Sequence, residues 1–451
     1  MHFHVKKVLK ICIYLIIKIM LKRKITDKLL KWKSEKKNEC LLIKGARQIG
    51  KTFSVREFGN KNYKSFVEIN FEENPEYKNI FDGSLEVNEL IQKISLKIPN
   101  VKFIENNTLI FLDEIQSCPQ ARTALKFLAQ DNRYDVIASG SLLGINYKEV
   151  SSYPVGYERQ IEMHSLEFEE FLWALGISET VICNLKTYFD NPTKIPSSIH
   201  NSMTTYLRKY MIVGGMPAVV DKYLETNNFN DVHNTQQMIL NEYLNDIAKY
   251  APTSDKPKAR NCYLSIPQQL AKENTKFQFS VVEKNGTSRK YANCLDWLRD
   301  ANLIRYCYNV SLPEFPLVAY VRTDQFRIYL NDIGLLIAMY GYEMKNAIFT
   351  DSLKGHAKGG IYENLMADFL LKKDYPLIHY ISSNGREKIE FFIEQNSKIV
   401  PIEVKSKQGS TTSLNKILEN EDIEKGYKFT NTNAGKDGKK ITLPLYLAMF
   451  L

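Results

Sequence analysis

The sequence predicts an α/β protein with several domains, and three observations support that prediction. One short apolar run leads into a glycine-rich turn, and a second ends in two acidic residues. A third region, near the C-terminus, pairs two apolar runs that carry acidic and basic side chains. Short apolar runs bounded by turn residues are typical of buried strands. At 451 residues the chain is long enough for two to four domains.

The first run, residues 41–44, leads into Gly45-Ala46-Arg47-Gln48-Ile49-Gly50-Lys51-Thr52. This G-x-x-x-x-G-K-T spacing predicts a phosphate-binding P-loop, whose backbone N–H groups turn toward phosphate oxygens. Lys51 would reach the β- and γ-phosphates of ATP, and the Thr52 hydroxyl would ligate Mg²⁺. A helix over residues 53–58 would add its positive N-terminal end. The alternative is a chance match in a turn.

The second run, residues 108–112, ends in Asp113 and Glu114 and argues against chance. A buried parallel strand would deliver both carboxylates at its C-terminal end, where open α/β sheets bind ligands. Asp113 would hold Mg²⁺ through water, and Glu114 would orient and deprotonate the attacking water. The alternative is a strand that ends in a solvated acidic loop.

Two further strands are expected in this region, at residues 65–71 and 135–138. The later one ends beside Ser139 and Ser141. This order of strands is similar to that of AAA-like P-loop ATPases, in which a polar residue after the later strand would sense the γ-phosphate. The alternative is that each serine only favours a turn next to Gly140.

The net charge of +10 at first suggests nucleic-acid binding, but it is concentrated near the N-terminus. Residues 1–40 hold twelve Lys and Arg against three Asp and Glu, so the remainder is almost balanced. Bulk charge is therefore no argument for DNA binding. The seven cysteines show no C-x-x-C pair and no zinc spacing, which favours reduced thiols in a cytoplasmic protein.

Residues 8–21 are apolar but are interrupted by Lys10 and Lys18. They fit neither a spanning helix nor a cleavable signal peptide. One interpretation is a basic amphipathic helix that touches a membrane. We favour the other, a poorly structured or helical extension ahead of a start at Met20, which makes membrane contact a minor expectation.

Turn-rich joints divide the rest of the chain. We expect an extension (1–20), a P-loop core (21–165), a helical lid or connector (166–255), a winged-helix-like domain (256–340) and a C-terminal domain (341–451).

The prediction of a winged helix rests on two helices, at residues 260–274 and 287–301, and a strand pair at 303–309 and 325–330. The second helix would offer Arg289, Lys290 and Arg299 to a DNA major groove. Equally, its apolar residues Leu295, Trp297 and Leu298 could form core while the basic residues face solvent.

The C-terminal region carries a second set of chemical residues. Glu363 is expected in the first turn of a helix, and strands over residues 388–393 and 399–405 carry Glu390, Glu403 and Lys405. Glu403 and Lys405 lie two apart on one strand and so point to the same face. In PD-(D/E)xK nucleases such an arrangement holds Mg²⁺ through carboxylates while the lysine steadies the attacking water.

From about Met20 onward the chain resembles bacterial and archaeal AAA-like ATPases with a C-terminal DUF4143 domain, an E-x-K nuclease-like module. The resemblance rests on stretches that occur in order: GARQIGKT, LIFLDEIQ, PVGYERQIEMHSLEFEEFLWALG, YMIVGGMPAVV, QQLAKENTKFQ, RIYLNDIGLL, GGIYENLMADFLL and PIEVKS. It implies nucleotide binding at residues 45–52 and at Asp113 and Glu114. It also implies a restriction-endonuclease-like fold around Glu363, Glu390, Glu403 and Lys405.

The chain departs from the nuclease-like pattern at one position. Glu390 stands where Asp is usual, and Mg²⁺ tolerates the extra methylene poorly. In the stretch PVGYER, Arg159 is a candidate for stabilising transition-state charge, on a neighbouring subunit of a homo-oligomer. A surface arginine without such a role is the alternative.

Three functions remain open after this comparison. The chain could be an ATPase that works on DNA or RNA with an active nuclease. It could be an ATPase whose nuclease-like module binds or scaffolds a partner without cutting, which we favour. It could also be a nucleotide-dependent regulatory protein without a nucleic-acid partner.

Overall fold

The computed structural model describes residues 21–141, 155–272, 276–405 and 411–451. The prediction for residues 1–20 therefore lies outside the described residues. Within those ranges, no helix has the length and apolar character needed to cross a bilayer.

A five-stranded parallel sheet carries both nucleotide motifs. Its strands are β1 (Cys40–Lys44), β2 (Ser65–Asn70), β3 (Thr108–Asp113), β4 (Asp135–Gly140) and β5 (Glu158–Glu162), in the spatial order β2-β3-β4-β1-β5. The helices associated with it are α1 (Ile25–Glu35), α2 (Lys51–Asn62), α3 (Val87–Lys97) and α4 (Pro119–Asp131). In β3 and β4 every residue is buried, which explains why their sequences read as continuous apolar runs.

Helices follow the first sheet, as expected for residues 166–255. They are α5 (Phe168–Ala174), α6 (Glu179–Asp190), α7 (Ser197–Val213), α8 (Pro217–Thr226) and α9 (Phe229–Tyr250). The next helices are α10 (Lys256–Leu270), α11 (Phe279–Val282), α12 (Ser288–Asp300), α13 (Ile333–Met339), α14 (Tyr342–Phe349) and α15 (His356–Lys372). One hydrophobic core packs these helices against a face of the first sheet. Its residues are spread along the chain from Leu21 to Met449.

A second, mixed sheet has eight strands in the order β12-β13-β11-β10-β9-β8-β6-β7. They are β6 (Ile304–Val310), β7 (Val321–Leu330), β8 (Ile378–Ile381), β9 (Lys388–Gln395), β10 (Lys398–Val404), β11 (Gly426–Thr430), β12 (Gly435–Asp437) and β13 (Lys440–Pro444). Helix α16 (Thr412–Leu418) packs on β9 and β10.

The two strands that were expected to form a wing, β6 and β7, pair with each other as predicted but also join a larger sheet. Strands β6 and β7 do form an antiparallel pair, but β6 also pairs in parallel with β8, through Tyr308 and Ile378. The pair is therefore the edge of the C-terminal sheet rather than the wing of a separate unit. A strand in a hairpin has one edge without a hydrogen-bonded neighbour. For β6 that edge is occupied by β8.

The second of the two predicted helices is mainly a core element. Leu295, Trp297 and Leu298 of α12 are buried. Lys290 forms an ion pair with Glu283, and Arg299 is paired with acids of its own helix. The apolar residues of α12 therefore form core, whereas Arg289 is exposed and the ion-paired side chains of Lys290 and Arg299 are 43% and 41% exposed.

Two adjacent glycines of α15 offer a test of how this helix is packed. A Cβ on Gly360 would lie 2.0 Å from the Leu270 carbonyl oxygen at the end of α10, whereas a Cβ on Gly359 would meet open space. Gly360→Ala should lower the free energy of unfolding by about 1–3 kcal/mol through overpacking. Gly359→Ala should raise it by up to about 1 kcal/mol through helix propensity. Chemical denaturation of both variants checks this, and equal effects would contradict the packing described here.

Candidate functional site

The P-loop begins where β1 ends and closes where α2 begins. Gly45 has φ +148° and a Cβ there would lie 2.2 Å from the Met163 carbonyl oxygen, so only glycine fits. Gln48 and Gly50 also have positive φ, at 64° and 90°. Ala46 and Ile49 are buried beneath the loop. The chain thereby forms a concave turn of successive N–H groups at a helix N-terminus, a geometry that binds anions.

Lys51, the first residue of α2, is folded into this loop. Its Nζ donates hydrogen bonds to the carbonyl oxygens of Gly45 (2.9 Å) and Ala46 (2.7 Å), and the residue is 6% exposed. Burial lowers the pKa of Lys51 to about 8, while the charges of Glu114 and Asp113 oppose that change. The only partners of its ammonium group among the described residues are neutral carbonyls, so a phosphate would be a better one.

Asp113 lies at the C-terminal end of β3 and is surrounded by donors. Its Oδ2 accepts from Thr52 Oγ1 at 2.8 Å and from Asn70 Nδ2 at 3.2 Å, and its Oδ1 accepts from Ser139. Burial raises the pKa of Asp113, and the hydrogen bonds from Ser139 and Thr52 act against that rise. The structure thus brings the predicted Mg²⁺ ligands Thr52 and Asp113 into direct contact.

Glu114 follows in a left-handed conformation, with φ 54°, which turns its side chain away from the strand direction. Its Oε2 accepts from Gln116 Nε2 at 2.6 Å and from Ser141 Oγ at 3.3 Å. A non-glycine residue with positive φ is uncommon and marks a constrained position. Here the constraint places the carboxylate in the wall of the cavity beside the P-loop.

That cavity has a volume of about 580 Å³. Four cationic side chains line it, Arg23, Arg47, Lys51 and Arg56, together with the carboxylates of Glu114 and Asp221. The arginines each have acidic partners, for example Glu170 for Arg23 and Glu68 for Arg56. Leu21, Phe53, Pro217 and Ala218 supply apolar surface. A cationic, partly apolar cleft of this size suits a phosphorylated ligand with an organic part.

The serines after β4 contact the two acidic residues of the site. Ser139 is fully buried and donates to Asp113, and Ser141 is 1% exposed and donates to Glu114. Both serines therefore orient acidic side chains, and their contact with a γ-phosphate stays a prediction.

Arg159 is also absent from this cavity. It pairs with Leu41 across β1 and β5, near the start of β1, whereas the P-loop follows the end of that strand. Its guanidinium contacts Glu39 at 2.8 Å and Glu35 at 3.6 Å. Arg159 therefore lies away from the P-loop of its own subunit, because parallel strands place their two ends at opposite edges of the sheet. Its action on a neighbouring subunit stays a prediction.

Several contributors to this site were not identified from the sequence. Asn70 was detectable in principle, since it ends β2 at the same sheet edge as Asp113. The contacts of Arg47 and Gln48 with α9 carry no local sequence signal. Tyr243 donates to the Arg47 carbonyl oxygen at 3.0 Å, and Arg47 also pairs with Asp246.

The second candidate site lies on β9 and β10. Lys405 Nζ is 2.9 Å from Glu390 Oε1 and 3.4 Å from Glu403 Oε1. Burial raises the pKa of Glu403 to about 7, which Lys405 counteracts and Glu390 reinforces. The Oε2 atom of Glu403 is buried without a hydrogen-bond partner among the described residues. These three predicted residues are therefore together.

Glu363 differs from the prediction in position and in partner. It lies in the third turn of α15, not in the first, because the helix begins at His356. Its Oε2 is held by Arg327 Nη1 (3.1 Å) and the Tyr329 hydroxyl (3.0 Å). Within the described ranges, no three His, Cys, Asp or Glu side chains are grouped to hold a metal ion. Burial raises the pKa of Glu363; the charges of Arg327 and Lys405 lower it and that of Glu390 raises it further, so Glu363 lies within electrostatic range of Glu390 and Lys405.

Three parts of the chain match known protein families. Residues 37–172 match the AAA domain family, residues 358–447 match the domain of unknown function DUF4143, and residues 204–346 match the domain of unknown function DUF8612. No curated protein matches the chain significantly.

The chain is also similar to several solved structures. A Walker-type ATPase of Pyrococcus abyssi is 14% identical, with a TM-score of 0.43 over 71% of this chain and 96% of that one. The ORC1 protein of Aeropyrum pernix, solved with DNA, is 13% identical, with a TM-score of 0.30 over 73% and 93%. Cdc6p of Pyrobaculum aerophilum is 13% identical, with a TM-score of 0.24 over 72% and 92%. The P-loop and its partner Asp113 lie within residues 37–172, so the site and the match to the AAA domain family both support a nucleotide-binding ATPase domain in this part of the chain.

Proposed function

We propose that this protein binds ATP with Mg²⁺ at the P-loop and hydrolyses it. The observation that carries the proposal is the hydrogen bond between Thr52 Oγ1 and Asp113 Oδ2. It joins the last residue of the phosphate-binding motif to the acid at the end of β3, so the two motifs form one site. Lys51, enclosed by the loop, supplies the positive charge for the phosphates.

The residues present fit a magnesium ion. A carboxylate and a hydroxyl are the hard oxygen ligands that Mg²⁺ prefers, and Thr52 and Asp113 would hold it with water and phosphate oxygens. When bound, the ion neutralises charge on the phosphates. Asn70 and Ser139 orient the Asp113 carboxylate for this purpose.

Glu114 is the proposed general base. Its carboxylate is held by Gln116 and Ser141 at the wall of the cavity, where it can orient a water molecule and take its proton. Arg159 remains a candidate only for action on a neighbouring copy in a homo-oligomer, and its half-exposed side chain allows that.

For the C-terminal region we propose a nuclease-like module that binds or scaffolds a partner without cutting, with DNA or RNA as one class of partner. Arg327 already neutralises Glu363, and Lys405 already neutralises Glu390. A carboxylate in a close ion pair with a buried arginine is a poor ligand for a metal ion, because the guanidinium occupies its oxygen. Glu390 is also one methylene longer than the Asp usual for such enzymes.

Two alternatives are each favoured by one observation. The proximity of Glu390, Glu403 and Lys405 favours an active ATP-dependent nuclease. The pairing of Lys290 and Arg299 with acids favours a regulatory protein without a nucleic-acid partner.

Removal of the Lys51 ammonium group should abolish tight nucleotide binding. Lys51→Ala is expected to weaken ATP–Mg²⁺ binding by about 100-fold or more, because a charge-assisted contact inside a buried loop is lost. Isothermal titration calorimetry measures this. Lys61→Ala removes an exposed lysine of the same helix, paired with Glu57, and serves as the matched control. Equal ATP affinity in the two variants would refute the assignment of the P-loop.

The two acidic residues should separate hydrolysis from binding. Glu114→Gln should retain ATP but lower kcat by about 100-fold or more, since an amide cannot act as a base. Asp113→Asn should raise the Mg²⁺ concentration needed for half-maximal ATPase rate. The exposed Glu73→Gln is the control for loss of one negative charge. Hydrolysis by Glu114→Gln at the unmodified rate would place the base elsewhere.

The C-terminal proposal predicts that DNA or RNA is not cut. Incubation of the full chain with Mg²⁺, ATP and single- or double-stranded substrates should give no more cleavage than the Glu403→Ala variant does. Stimulation of the ATPase rate by DNA without cleavage would support the binding module. Mg²⁺-dependent cleavage that disappears in Glu403→Ala would show that the nuclease alternative is correct.

A further inference from the structure

Arg23 is a buried arginine at the edge of the nucleotide cavity, just ahead of α1. Its side chain is 9% exposed. All three guanidinium nitrogens are engaged: Nη1 donates to the Ile49 carbonyl oxygen (3.0 Å), Nη2 to the His164 carbonyl oxygen (2.8 Å) and Nε to Glu170 Oε1 (3.2 Å). Arg23 belongs neither to the P-loop (residues 45–52) nor to the acidic pair Asp113 and Glu114, and the mechanism proposed above does not use it.

The first two partners of Arg23 lie at the two ends of the P-loop. Ile49 directly precedes Gly50 and α2, so it belongs to the end of the loop. His164 directly follows Met163, whose carbonyl oxygen abuts Gly45 at the beginning of the loop. One planar guanidinium therefore ties the beginning of the loop to its end.

The contact with Ile49 also sets the direction of a phosphate-binding group. In a trans peptide the carbonyl and the following N–H point in opposite directions. Because the Ile49 carbonyl points at Arg23, the N–H of Gly50 points away from it. The Gly50 N–H is one of the donors that a G-x-x-x-x-G-K-T loop offers to phosphate.

Glu170 in turn holds Arg23. Its carboxylate is 3% exposed and also accepts the backbone N–H of Lys24 at 2.6 Å, while its other oxygen closes the capping box at the start of α5. Glu170 of α5, the first helix of the helical region, therefore fixes the orientation of the Arg23 guanidinium.

We infer that Arg23 is a positioning residue that keeps the P-loop in its phosphate-binding conformation. The inference rests on the proposed ATP binding and adds a residue to it. An arginine is required, because a lysine has a single nitrogen and cannot place donors on two carbonyls and a carboxylate in one plane. Arg23 acts through the loop backbone, so the identity of the base and the acid–base chemistry of Glu114 are independent of it.

The experiment compares Arg23→Ala and Arg23→Lys with the full chain, using ATP–Mg²⁺ as the ligand. Both variants should raise Kd and KM by about 10- to 100-fold, the scale expected when a binding group is displaced by about 1 Å. At saturating ATP, kcat should fall by less than about threefold, because the loop contributes to binding in the ground state and the transition state alike. Lys22→Ala, an adjacent exposed lysine paired with Glu179, is the control for charge.

The outcomes distinguish a positioning role of Arg23 from a role in charge alone and from a purely structural role. If Arg23→Lys restores the affinity, Arg23 supplies only charge and the inference is wrong. The same conclusion follows if Arg23→Ala binds ATP as tightly as Lys22→Ala does. A purely structural role would lower the melting temperature without ligand but leave the ATP-induced increase in melting temperature unchanged, which would also overturn the inference.

Two further results complete the test. If Arg23→Ala does not fold, Arg23→Lys, whose aliphatic stem fills the same space, decides alone. Glu170→Gln should give a smaller loss of affinity in the same direction, since an amide oxygen still accepts from Nε. Absence of ATP binding by the unmodified protein would be a failure of the proposed function and is distinguishable from these results.

Discussion

The arrangement of the whole protein depends on the backbone of Leu166, which follows the edge strand of the P-loop sheet. Its N–H donates to the Gly215 carbonyl oxygen at 2.7 Å. Its carbonyl oxygen accepts from the Tyr210 hydroxyl at 2.8 Å and from Lys372 Nζ at 2.9 Å. Lys372 and its partner Asp368 are each 2% exposed. A buried ion pair is tolerated only when its remaining donors and acceptors are satisfied. Here Lys372 Nζ donates to the Leu166 carbonyl oxygen, the Tyr210 hydroxyl and Asp368, and Asp368 Oδ2 also lies 3.1 Å from the Tyr210 hydroxyl.

Contacts of this segment connect the P-loop to α15. Gly45 of the P-loop abuts the Met163 carbonyl, and Leu166 lies three residues further on, in contact with α15. The same helix carries Glu363, five residues or roughly 7.5 Å before Asp368 along its axis. Asp332 reinforces the connection, since its Oδ2 accepts from Ser165 Oγ and from the Gly215 N–H. The helical region therefore connects the P-loop sheet to α15 through contiguous contacts, as coupling between two sites requires.

The first sheet and its site were predictable because each motif is local. Strands β1 to β4 begin and end within one or two residues of the predicted positions, since buried parallel strands leave continuous apolar runs in the sequence. The contact between Thr52 and Asp113 follows from sheet topology alone, because parallel strands present their C-terminal ends at one edge. By contrast, the contacts of Ser139 and Ser141 with the two acids were not predicted, because a sequence shows which residues end a strand but not which neighbour they face.

The second site could not be predicted in full, because its decisive contacts connect distant parts of the chain. Arg327 lies 36 residues before Glu363 and on an element that was expected to be a wing. Its place beside Glu363 follows from the packing of β7 against α15, and a hairpin pattern does not specify which helix covers it. This packing places the Arg327 guanidinium against Glu363, at a point where the spacing of the carboxylates alone suggested a metal ion. Position in the sheet, rather than the E-x-K pattern, therefore determines what Glu363 can bind.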